Sequence, residues 1–299
     1  MDEPDTRKLL DHAVANGINV IDTADIYGWR VHHGFAEELL GRWLADSPRR
    51  REQLLLATKV GQQFGSDLND QGLSVRHIIA SCEASLRRLG TDWIDLYQMH
   101  RVDRTVRWET VWQAMDTLVA QGKVRCVGSS NFAGWHLAAA QEASVRRNGP
   151  GLASEQCIYN LLVRQAEQEV IPAARAYGAA VLAWSPLHGG LLGGVLPKLR
   201  EGTAVKSAQG RAAEALVSHR DRVAGYEQFC ADLGRPPAEV GMAWTASRPG
   251  VTAIVIGPRT PEHVDGAIRA LRAGLSAAEL AGLDELFPPA GESPEAWCS

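Results

Sequence analysis

Short apolar runs rich in β-branched residues recur along the chain, and longer segments with apolar positions every three or four residues lie between them. A strand buried on both faces reads as a near-continuous apolar run, whereas a helix packed on one side keeps a polar face. The alternation therefore predicts repeated βα units around a parallel sheet. Seven runs are predicted as strands: residues 18–22, 54–60, 93–100, 124–129, 152–159, 180–185 and 251–257. Helix punctuation lies between them. Ser74 opens a helical stretch over 74–89 that Gly90 closes, and Gly122 closes another over 109–120. The chain itself opens in a helical pattern over 6–16.

Seven βα units in 299 residues, with no Gly-x-Gly-x-x-Gly turn, favour a (β/α)8 TIM-type barrel over a doubly wound sheet. The doublets Gly189-Gly190 and Gly193-Gly194 follow the sixth run and do not form that fingerprint. A closed barrel wants eight strands, so the first is expected to be missing, and residues 1–299 read as one N-terminally truncated barrel domain. Such a loss would leave two unpaired edges. A true start further upstream is the preferred expectation, ahead of an open barrel repaired by dimerisation or an inactive remnant; monomer and homo-oligomer both fit. Gly149-Pro150-Gly151 reads as a loop, and the polar stretch 198–209 as a mobile flap.

Composition narrows the function classes. With 45% hydrophobic and 22% charged residues the chain can bury a large core, and a net charge of −4 argues against a nucleic-acid partner. The runs Arg49-Arg50-Arg51 and Arg146-Arg147 read as solvated helix ends. Cys82, Cys126, Cys157, Cys230 and Cys298 are odd in number, with neither a Cys-x-x-Cys pair nor a histidine cluster at zinc spacing. A reduced cytoplasmic protein without a metal is expected. No apolar run approaches the roughly 20 residues of a membrane span, and the N-terminus is acidic where a signal peptide would be basic.

In a barrel of this kind chemistry sits at the C-terminal ends of the strands. Asp22, Lys59 and His100 each end an apolar run, and Tyr27 lies in the loop just past Asp22. Singly, these could be a helix cap, a solvated lysine, a structural histidine and a loop aromatic. Barrel closure would bring all four to one rim. A phenol with an ordinary pKa of about 10 is a reluctant acid, and an ammonium beside it favours the phenolate. Lys59 could supply that ammonium, Asp22 could hold Lys59, and His100 could orient a carbonyl. The same lysine could instead form a Schiff base with a ketose.

The strings Asp22-Thr23-Ala24-Asp25-Ile26-Tyr27-Gly28, Ala57-Thr58-Lys59, Ile94-Asp95-Leu96-Tyr97-Gln98-Met99-His100, Gly128-Ser129-Ser130-Asn131-Phe132, Gln156 with Tyr159-Asn160, Trp184-Ser185-Pro186-Leu187 and Ile256-Gly257-Pro258-Arg259-Thr260-Pro261-Glu262 stand in the order of one family. Over nearly its whole length the chain resembles the aldo-keto reductases. The resemblance implies hydride transfer from NADPH to an aldehyde or ketone, with Tyr27 as proton donor and Asp22, Lys59 and His100 completing a tetrad. It places Ser130, Asn131 and Gln156 at the nicotinamide carboxamide, Trp184 against the nicotinamide ring, and Ser185, Pro186 and Leu187 along the pyrophosphate, and counts Gly189 among the cofactor-binding residues. Gly257, Pro258 and Arg259 are expected to begin a helix facing the adenosine 2′-phosphate, where a helix N-terminus and a guanidinium both suit an anion. There the chain departs from the family: His263, Gly266 and Ala267 replace side chains that grip the adenine end. Val195 stands where the flap often carries a base, leaving Arg211 as the candidate.

Within the family the chain looks most like the branch of potassium-channel β-subunits and NDP-4-keto-deoxyhexose 2,3-reductases. The finest substrate expectation is a keto-deoxysugar nucleotide. The alternatives are a redox-sensing, cofactor-binding subunit and, less favoured, a Schiff-base aldolase acting through Lys59.

Overall fold

The structure, a computed structural model, describes residues 2–47, 49–203 and 210–291. Cys298 and residues 204–209 of the expected flap lie outside the described residues. The start of that stretch is helical, within Val195–Arg200.

Among the described residues seven parallel strands alternate with helices, the element order of a (β/α)8 barrel short of one βα unit. They are β1 (Val20–Asp22), β2 (Leu55–Val60), β3 (Ile94–Met99), β4 (Val124–Ser130), β5 (Ser154–Ile158), β6 (Ala180–Trp184) and β7 (Val251–Val255). Each overlaps an expected run; β4 extends one residue past its run to Ser130, and the others are shorter, because apolarity continues into the turns while ladder pairing stops. The helix Val75–Leu89 starts after Ser74, whose side chain accepts from the His77 amide, and ends at left-handed Gly90. The opening helix runs Glu3–Ala15, earlier than its apolar pattern, because Asp2 caps it and accepts from the Asp5 amide.

The chain divides into two compact units, Met1–Gln156 with Ala173–Ala179, and Cys157–Pro172 with Ala180–Ser299. In the first, parallel register pairs Asp22 with Ala57, Lys59 with Gln98, Gln98 with Gly128, and Ser130 with Gln156. Because side chains alternate faces along a strand, Asp22, Lys59, Gln98, Ser130 and Gln156 share one face. Trp43, Trp112, Tyr97, Leu56, Ile78 and Leu89 are fully buried in this unit's core.

In the second unit β6 pairs with β7, from Val181 with Val251 to Trp184 with Val255. Tyr226, Trp244 and Phe287 are buried there, and Arg164 ties Glu167 to Asp284 and the Phe287 carbonyl. The helix expected to start at Gly257 instead runs Pro261–Ala273 with Thr260 as N-cap. Pro261 sets the start: it suits a first helical turn and disfavours helical backbone in the residue before it. Gly257, Pro258 and Arg259 form the loop that leads in. Among the described residues no helix is long and apolar enough to cross a membrane.

Candidate active site

The chain leaves β1 at Asp22 but keeps bonding to β2: the Thr23 amide donates to the Ala57 carbonyl and the Asp25 amide to the Lys59 carbonyl. The turn then closes with the Tyr27 amide on the Ala24 carbonyl. Gly28 makes the reversal possible. Its φ is +96°, and a Cβ there would lie 2.6 Å from that of Phe35.

Lys59 is fully buried, so its ammonium needs partners. It donates to Asp22 Oδ2 at 2.5 Å and to the Thr23 carbonyl at 2.9 Å, and Nζ lies 4.9 Å from the centroid of the Tyr27 ring. The His100 ring meets Tyr27 edge-on at 5.7 Å between centroids. The structure thus brings together the three strand-end residues and Tyr27 from the loop after β1. None acts as the cap or solvated side chain that its position alone allowed.

Burial, then the charges of Lys59 and Arg101, push His100 down to about 3, so it is a neutral imidazole at working pH. It can offer a hydrogen bond but is a poor source of a proton. Behind this group lies Asp25, fully buried, whose carboxyl is pushed up to about 8 by burial and by the nearby Glu37, with Arg88 and Lys59 opposing. Glu37 itself accepts from Thr58 Oγ1 at 2.6 Å and from Arg88 Nε at 2.7 Å.

At the end of β4, Asn131 has a left-handed backbone with φ +61°. Buried Glu155 holds that turn by accepting from the Phe132 amide and Ser129 Oγ. Asn131 Nδ2 donates to Ser130 Oγ and the His100 carbonyl, while Ser130 Oγ donates to the Gln156 carbonyl. Gln156 Nε2 donates to Asp22 Oδ1 at 3.0 Å. Ser130, Asn131 and Gln156 therefore stand in one hydrogen-bonded set with Asp22 and His100.

In the second unit the Arg211 guanidinium lies 4.8 Å from the centroid of the Trp184 ring. The turn after β6 has positive φ at Ser185, His188, Gly189 and Gly190, and Asn160 Nδ2 fixes it by donating to the Ser185 carbonyl. Ser185 Oγ accepts from the Gly189 amide, while among the described residues neither buried ring nitrogen of His188 has a hydrogen-bond partner of good geometry. Leu187 packs against the cluster of Met242, Ala243, Ala267 and Ala270. His263 Nδ1 accepts from the Arg259 amide at 3.2 Å, so it shapes the loop before the helix.

The family model for the aldo/keto reductases matches residues 1–287. The chain belongs to the aldo/keto reductase family. It is 45% identical to an uncharacterised oxidoreductase of Bacillus subtilis, YrpG, over 99% of this chain and 91% of that one. It is 31% identical to the versiconal hemiacetal acetate reductase of Aspergillus parasiticus, over 98% and 90%. A Schizosaccharomyces pombe protein named as a voltage-gated potassium channel subunit beta is 30% identical over 89% and 78%. The chain is an NAD(P)H-dependent reductase of this family.

The residues present fit that cofactor. The left-handed turn from Ser185 with its orphaned imidazole, and a guanidinium on an aromatic face, suit an anionic nucleotide carrying a flat ring. Three residues bonded into or lying beside this candidate site were not singled out from sequence: Gln98, Glu155 and Asp25. Their signal was a polar residue inside or just beyond an apolar run, since a buried polar group must find a partner. What the runs could not give was which partner.

Proposed function

We propose that the reductase uses NADPH to reduce an aldehyde or ketone, with Tyr27 donating the proton to the carbonyl oxygen. The observation that carries this is the buried Lys59 ammonium, held by Asp22 and 4.9 Å from the Tyr27 ring centroid. The bound cofactor supplies hydride. The chain supplies the rest. Lys59 stabilises the charge left on the phenol oxygen, Asp22 keeps the ammonium in place, and neutral His100 hydrogen-bonds the carbonyl oxygen and aims it. Its low protonation point favours Tyr27 over His100 as the acid. Asp22 and the Thr23 carbonyl both engage Lys59, which opposes the Schiff-base alternative, since that nucleophile must be an uncharged amine.

Ser130, Asn131 and Gln156 hold the carboxamide in this reading. Trp184 stacks on the nicotinamide, and Ser185, Pro186, Leu187, Gly189 and Arg211 line the pyrophosphate. Gly257, Pro258, Arg259 and His263 form the adenosine end, where the Arg259 guanidinium selects the 2′-phosphate. The substrate is a small carbonyl compound, in its finest form a keto-deoxysugar nucleotide, and the setting is cytoplasmic. Similarity to channel β-subunits favours one second reading, a redox-sensing subunit that binds the cofactor with little turnover.

Fluorescence titration and steady-state oxidation of NADPH across a panel of aldehydes, ketones and keto-sugar nucleotides test the proposal. Turnover is expected, with NADPH bound about tenfold or more tighter than NADH and that preference lost in Arg259→Ala. Tight binding with no turnover on any carbonyl would support the sensing subunit, and equal affinity for NADH would remove the role given to Arg259.

A further inference from the structure

We infer that Gln98 is a positioning residue that locks Gln156 to the Asp22–Lys59 ion pair, so that one hydrogen-bonded unit sets both the carboxamide grip and the proton-donating end of the site. This rests on the function proposed above. Gln98 is fully buried and is the register partner of Lys59 in the neighbouring strand. Its Nε2 donates to Asp22 Oδ1 at 2.9 Å. Gln156 Nε2 donates to the same oxygen at 3.0 Å and lies 3.3 Å from Gln98 Oε1.

A carboxylate can only accept, so both amides must turn their NH2 groups toward Asp22. Their orientation follows from chemistry. Asp22 then gives Oδ2 to Lys59 and Oδ1 to the two amides, which satisfy the carboxylate without adding a second cation. With its NH2 face occupied, Gln156 is left with Oε1 as its outward group, an acceptor suited to the N–H of a ligand carboxamide. Without Gln98, Gln156 would keep one anchor and its amide could turn over.

The strand between β3 and β5 is shaped for this contact. At Gly128 a Cβ would sit 3.2 Å from Gln98 Cγ and 2.6 Å from Ser154 Oγ, so a side chain there would crowd the path by which Gln98 reaches Gln156. A buried glutamine in an apolar run would otherwise be costly. Its two bonds to Asp22 and Gln156 account for its presence.

The test uses the full chain with Gln98→Met, close in volume, and Gln98→Glu. Each is titrated calorimetrically with NADPH and with 2′-phospho-ADP-ribose, which lacks only the nicotinamide. Gln98→Met is expected to bind NADPH about tenfold more weakly and the truncated nucleotide as wild type does, with kcat for reduction falling about tenfold or more while substrate KM stays within about twofold. Gln98→Glu, which places a second carboxyl beside Asp22, is expected to move the alkaline limb of kcat to higher pH, because added negative charge holds the donor's proton. Equal weakening for both nucleotides would reduce Gln98 to a packing role, and wild-type binding and turnover in Gln98→Met, or an unmoved pH limb in Gln98→Glu, would overturn the inference. If Gln98→Met does not fold, Gln98→Glu carries both readouts. The titrations need no turnover, so they stand apart from Tyr27: retained reduction in Tyr27→Phe would sink the proposed mechanism and leave this comparison readable.

Discussion

Asp25 shows how far a residue's state can depart from its type. It sits three positions after Asp22 in the same turn, yet Asp22 meets an ammonium and two amides while among the described residues neither Asp25 carboxyl oxygen has a hydrogen-bonding side chain. Burial with Glu37 nearby raises its protonation point to about 8, so the folded chain retains a proton that an unfolded chain releases near 4. Between those values the native state binds more protons than the unfolded one, and stability contributed by Asp25 is full at acid pH and lost as pH rises toward 8. The substitution Asp25→Asn replaces this carboxyl with an amide that cannot ionise. The variant is therefore expected to gain on wild type with rising pH, by about 1 kcal/mol or more between about pH 5 and 9. Thermal unfolding of both proteins at the two pH values checks this, and a constant gap would contradict the assignment.

At the scale of elements, the site depends on turns that hold their shape against strain. The segment from β1 to the helix Phe35–Ala45 carries both Asp22 and Tyr27, and Gly28 lets it fold back with the Ala36 amide on the Tyr27 carbonyl. Gly28→Ala would force a Cβ to within 2.9 Å of the Ala36 nitrogen in a left-handed backbone. A loss of roughly 1–3 kcal/mol in unfolding free energy is expected, with kcat falling more than substrate KM rises. Denaturant melts beside steady-state kinetics would show it, and unchanged kcat would mean that Tyr27 does not depend on this turn. The turn after β4 is built differently. There a buried carboxylate, Glu155, braces a left-handed Asn131 from the neighbouring strand.

At the scale of the molecule, the inner strands were legible because parallel strands buried on both faces leave unbroken apolar runs, and β1 and β7 kept apolar runs though partly exposed. The candidate site was legible because its polar residues end those runs. Asp22, Lys59 and His100 could be picked out this way, and Tyr27 from its place one turn later. The partner set was not legible, because Gln156 reaches Asp22 across 134 positions of sequence and only strand register decides that they meet. The start of the helix Pro261–Ala273 was misplaced for a local reason: Pro261, and not Gly257, sets where it begins, with Thr260 at the N-cap position. The central claim is that Tyr27 delivers the proton from a setting made by Lys59, Asp22 and His100. Its most direct test is single-turnover reduction of a carbonyl substrate by NADPH-loaded Tyr27→Phe beside wild type. A loss of about 10²–10⁴-fold in rate with NADPH affinity within about twofold of wild type is the result expected, and reduction at near wild-type rate would contradict it.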